Sequence, residues 1–255
     1  KNTAVGSSSL ACNTTGTRNT AVGFCSLTTN TTGDDNTAFG TESLRANTTG
    51  ANNVAVGKNA LVANTTGDEN TAVGCNTLGA NTTADNNTAI GAFALDTNTE
   101  GHSNVAVGRS ALTANTTADN NTAVGFSALS SNTTGADNAA FGRRALNSNT
   151  TGANNAAIGT CALYSNTTAG NNTSIGNYSS KLNTTGNSNV AVGYAALCTN
   201  TTASNNTAVG FCALKSDTEG FENTALGNAA GCQINIGDQN TAIGSHALNN
   251  LSEGN

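Results

Sequence analysis

The chain has 255 residues and a net charge of −6; only 9% of residues are charged and 4% aromatic, and Pro, Met and Trp are absent. So few large side chains exclude a conventional globular core, and the low charge excludes the usual composition of a disordered chain. No apolar run reaches the roughly 18 residues of a membrane-spanning helix, and the acidic balance offers no basic footprint for nucleic acid.

The order of the sequence is more informative than its composition. Asn-x-Ala-x-Gly recurs every 17 residues from Asn2 to Asn240, with one lapse at Ser174. One leading residue, fourteen full units and a shorter last unit account for the whole chain. This predicts a single repeat array over 1–255. The chain opens on Lys1, in mid-phrase, so the array is expected to be part of a longer chain.

Within a unit, numbered from its Asn, position 1 leads and positions 2 to 4 (Thr-Ala-Val in the commonest form) read as a short strand. The invariant Gly at position 5 ends that strand where an unusual φ is needed. An Ala-Leu pair at positions 8 and 9 predicts a second short strand, running to an Asn-Thr-Thr-Gly turn at positions 12 to 15. Helices have no place, since Gly, Asn and Thr are weak helix formers. The expected fold is all-β, a parallel β-solenoid of fifteen 17-residue coils with two strands each. Stacking sets identical positions ~4.8 Å apart. The bulky residues at positions 4 and 9 are expected to point inward. The invariant Asn2, Asn19, Asn36, Asn53, Asn70, Asn87, Asn104 and Asn121 are expected to form a ladder in which each side-chain amide bonds the next.

Asn-Thr-Thr is also a glycosylation sequon. It stands at Asn13, Asn30, Asn47, Asn64, Asn81, Asn115, Asn132, Asn149, Asn166, Asn183 and Asn200. Two readings compete: exposed sites for covalent glycans, or a second inward ladder that no glycan can reach.

No constellation for catalysis stands out. His102 and His246 fall at unrelated positions of distant units. The seven cysteines repeat with neither the coil nor a zinc spacing. Nine of the fifteen acids lie at positions 16 and 17, where a solvated turn is expected in preference to a calcium ladder. No catalytic residue, metal or cofactor is expected.

The phrase NTAVGxxAL, with its variants NVAVGRSAL at Asn104 and NTAIGSHAL at Asn240, resembles the head repeats of trimeric autotransporter adhesins. Phage tail-fibre and large-virus proteins carry similar repeats. The resemblance implies a left-handed parallel β-roll with three chains around an axis. It extends over the whole chain through one short motif; the Asn-Thr-Thr-Gly segment lengthens the unit beyond the usual head repeat.

Two functions follow as expectations. One is a structural extracellular fibre or adhesin shaft on a cell or virion surface, self-associating as a trimer or filament. Position 3, restricted to Ala, is expected to face outward and to supply the packing surface. The other is a ligand-binding solenoid, such as an ice-binding protein using the Thr ladders at positions 13 and 14.

Overall fold

A computed structural model describes residues 1–249. It comprises two compact units, Lys1–Phe126 and a second beginning at Ser127. Each unit is a parallel β-solenoid, and no helix occurs among the described residues. The first unit holds eight three-residue strands, β1 (Thr3–Val5) through β8 (Thr122–Val124). Its consecutive strands pair in parallel, each residue opposite the one 17 places later, as Thr71 opposite Thr88. The second unit repeats this arrangement with seven strands, β9 (Ala139–Phe141) through β15 (Thr241–Ile243), as Ala157 opposite Ser174 shows.

Only one strand forms per coil, not two. Positions 7 and 9 take left-handed backbone, for example Ser127 at φ 52° and Leu129 at φ 50°, and an extended segment cannot contain them. The segment still bonds across coils as a strand would. The Leu27 N–H donates to the Ser43 carbonyl at 2.9 Å and the Thr31 N–H to the Thr48 carbonyl at 2.8 Å. Left-handed φ costs a leucine roughly 1–2 kcal/mol. Burying its side chain contributes about 1.5–3 kcal/mol, which offsets the strain.

The strand faces are the reverse of the expectation. Position 3 points inward: Ala38, Ala72, Ala106 and Ala140 are wholly buried. Position 4 points outward: Phe39 is 56% exposed and Ile158 44%. The reason is room. Leu27, Leu61 and Leu129, at position 9, are fully buried as expected and fill the narrow interior, so the strand beside them can add only a methyl group. The Gly at position 5 follows from the same closeness. At Gly40, φ is +136° and an added Cβ would lie 2.6 Å from the Gly57 carbonyl oxygen.

Two coils depart from this interior in instructive ways. In the coil from Asn223, Gly231 replaces the leucine and Ile234 replaces the Asn of position 12. A Cβ on Gly231 would lie 3.0 Å from Ile234 Cδ1, so the isoleucine occupies the leucine's space. In the coil from Asn172, Ser174 and Ser180 replace Ala and Leu, and both hydroxyls are buried without a hydrogen-bond partner.

Ser180→Leu should therefore raise stability by about 1–3 kcal/mol, by filling the site and removing an unpaired hydroxyl. Thermal melting of the single variant checks this. Leu129→Asp should cost about 4 kcal/mol or more through a buried unpaired charge. Phe126→Asp, at a side chain 41% exposed, should cost under about 1 kcal/mol in the same assay.

Candidate functional surfaces

The polar interior consists of two asparagine files that meet at one carbonyl. At position 1, Asn19 Nδ2 donates to the Gly33 carbonyl of its own coil at 2.8 Å. Its Oδ1 accepts the backbone N–H of Asn36 at 2.9 Å. The same pair of bonds recurs at Asn2, Asn36, Asn53, Asn70 and Asn87. Asn104 Nδ2 donates to the Ala118 carbonyl, and the Asn121 N–H donates to Asn104 Oδ1. The main link from coil to coil along this file is thus side chain to backbone, not amide to amide as expected.

The amide-to-amide ladder lies at position 12. Asn47 Nδ2 donates to Asn30 Oδ1 at 2.9 Å and also to the Gly50 carbonyl at 2.8 Å. Asn64, Asn81, Asn115, Asn149, Asn166, Asn183 and Asn200 do likewise. Asn98, which is not a sequon, belongs to the same file. The carbonyl at position 15 therefore accepts from both files, as Gly50 does from Asn36 and Asn47. A Cβ at Gly50 would lie 2.5 Å from Asn47 Oδ1, so a neighbour must shift to make room for one; position 15 is accordingly held to glycine and, as at Ala84 and Ala118, to alanine.

This geometry locates the eleven sequons. Asn30, Asn47, Asn64, Asn81, Asn115, Asn132, Asn149, Asn166, Asn183 and Asn200 have no exposed surface, and Asn13 is half-buried. Where Nδ2 already donates one proton to its own coil and one to the preceding coil, as at Asn47, a glycan cannot be attached to the folded chain.

The remaining candidate groups lie apart. His102 Nδ1 accepts the N–H of Asp85 at 3.0 Å, and the His102 N–H donates to Asp119 Oδ1 at 2.7 Å. His246 is exposed beside Ser245. All seven cysteines are free, and burial pushes the Cys198 and Cys212 thiols up. No group of His, Cys, Asp or Glu among the described residues could hold a metal ion. The acids of position 16 cap the neighbouring coil. Thr17 donates its N–H to Asp34 Oδ1 at 2.6 Å, and mainly for this reason the Asp34 carboxyl lies below its ordinary pKa. Position 17 is left-handed, as at Asp35 (φ 58°) and Asn120 (φ 59°), a conformation that Asn and Asp tolerate best among residues with a side chain.

Sequence reasoning missed the outward strand face. Positions 2 and 4 hold only Thr, Val, Ala, Ile, Phe and Leu in all fifteen units. That restriction carries the signal, which the expectation of an inward-pointing position 4 obscures. The position-13 threonines are unavailable as a binding file, because hydroxyls such as that of Thr48 donate to the next coil, here to the Thr65 carbonyl at 3.0 Å. No protein-family model matches this chain, and no curated protein matches it.

Asp217 stands where the ladder needs an amide. It is wholly buried, and Asn200 Oδ1, facing the next place in the file, has no partner. Burial pushes the Asp217 carboxyl up to about 7 despite bonds from the Gly220 N–H and Asn223 Nδ2. The folded state then holds a proton that the unfolded state releases near pH 4. This contribution to stability is complete below about pH 4 and falls as pH rises toward 7. Asp217→Asn should abolish that decline and gain about 2–4 kcal/mol at pH 8. Melting of both proteins across this pH range checks it.

Proposed function

We propose that this chain is a non-enzymatic structural module of an extracellular fibre or adhesin shaft, whose copies associate through the outward strand face. The observation that carries the reading is the composition of that face. Its side chains include Phe39 at 56% exposure and Leu226 at 49%, yet it bears no charged residue in any unit. Contact with water alone would admit Lys, Glu or Gln there, whereas a face covered by a second copy would not. The inward position of Ala123 and Ala140 transfers the packing role from position 3 to positions 2 and 4. Three copies around an axis is the arrangement that the adhesin resemblance implies, with a filament of single chains as the alternative. A cell or virion surface is the setting in which such a shaft works.

The same face favours a second reading. Its threonines, such as Thr71 and Thr88, make no side-chain hydrogen bond among the described residues and stand in register on paired strands. Such a file of hydroxyl and methyl groups, in place of positions 13 and 14, is what an ice-binding solenoid requires. Thermal hysteresis in dilute solution would favour this reading over the fibre.

Val56→Glu together with Val107→Glu should reduce the native mass to that of a monomer while the β signal in circular dichroism persists. A monomeric unmodified protein, or a double variant that associates as before, would contradict self-association through this face.

A further inference from the structure

The net charge of −6 conceals a segregation. Between Asp137 and Asp217 the chain contains no acidic residue, yet it carries Arg143, Arg144, Lys181 and Lys215; the segments on either side are both net acidic. All four cations fall at positions 6, 7 and 10, on the turn that follows the strand. The same positions carry Tyr164, Tyr178, Tyr194 and Phe211, which include every tyrosine of the chain. These groups lie in five consecutive coils of the second unit.

The side chains are available. Tyr194 is 49% exposed and Phe211 57%; Arg143, Arg144 and Lys215 are exposed and Lys181 partly so. Tyr194 packs edge-on against Tyr178, with ring centroids 6.0 Å apart, and nearly parallel to Phe211 at 5.4 Å. Lys181 Nζ lies 5.5 Å from the Tyr178 ring centre. None of the four cations is ion-paired among the described residues, whereas Arg18 and Arg45 in the first unit pair with Asp35 and Glu42.

We propose that this strip binds an acidic polysaccharide in which a charged sugar alternates with an uncharged one. The aromatic side chains offer apolar surface to the C–H faces of the sugar rings, and the cations meet the carboxylates. The spacing selects this ligand. The arginine pair, Lys181 and Lys215 stand two coils apart in turn, about 9.5 Å at the strand spacing, close to the length of a disaccharide. A nucleic acid strand carries a phosphate every ~3.4 Å along a duplex and would leave most of its charge unmatched. In the sequence, the acid-free interval ends at Asp137 on one side and at Asp217 on the other. The inference goes beyond the fibre reading and does not rest on it, since a monomer presents the same strip.

The test is calorimetry on the full chain with a hyaluronan decasaccharide, in which glucuronate alternates with N-acetylglucosamine. Parallel titrations use the neutral N-acetylglucosamine hexamer and a 20-nucleotide oligothymidylate. The decasaccharide should bind at least about tenfold more tightly than either control, and about tenfold more weakly once salt rises from about 0.05 to 0.5 M. Lys181→Glu with Lys215→Glu, and separately Tyr194→Ala, should each weaken it about five- to tenfold while circular dichroism is unchanged. Absence of binding, equal affinity for the neutral hexamer, tighter binding of oligothymidylate, or indifference to these substitutions would each overturn the proposal.

Discussion

The carbonyl at position 15 is the point on which each coil closes. It lies inside a thin solenoid, where an unpaired acceptor is costly, and two asparagine side chains reach it from opposite parts of the same coil, as Asn36 and Asn47 reach Gly50. Asparagine suits both places because its amide offers two donors and one acceptor. In both places one donor closes the coil on itself and the acceptor receives an N–H from the next coil. Glycine or alanine at position 15, Asn at positions 1 and 12, and the 17-residue period are consequences of one hydrogen-bonding junction repeated along each unit.

Exceptions to the pattern show what the junction demands. Asp217 retains the shape of asparagine but has no amide protons, so Asn200 Oδ1 is left without a donor and the buried carboxyl holds its own proton up to about pH 7. One coil later Ile234 abandons the polar file and fills the volume that Gly231 vacates. A polar ladder and an apolar plug are both workable interiors; a carboxyl between them is the least comfortable member of the file. Since no coil contains a core of its own, each depends on its neighbours within the unit.

Much of this was legible in the sequence. Period, parallel stacking, the strand at positions 2 to 4, the buried leucine and the invariant glycine all follow from spacing and residue type. The two faces of the strand were not legible, because the rule that bulky apolar residues point inward fails when the interior is one leucine wide. Val124 lies outside and Ala123 inside since only a methyl fits beside Leu129. The second strand was misread because Ala-Leu looks extended, and nothing in leucine announces a φ of 50°. The basic and aromatic strip was visible as a 79-residue interval free of acids between Asp137 and Asp217, but an overall charge conceals it. Register was needed to bring Arg143, Lys181 and Lys215 to one turn.

The claim that asparagine ladders hold the coils together is tested most directly by hydrogen exchange of the side-chain amides, read by nuclear magnetic resonance on protein labelled with nitrogen-15 at asparagine alone. The account predicts two populations. The Nδ2 protons of positions 1 and 12, including Asn47, Asn64 and Asn166, should exchange orders of magnitude more slowly than those of exposed asparagines such as Asn154 and Asn171. Uniform exchange of every side-chain amide at the rate of a free peptide would contradict it.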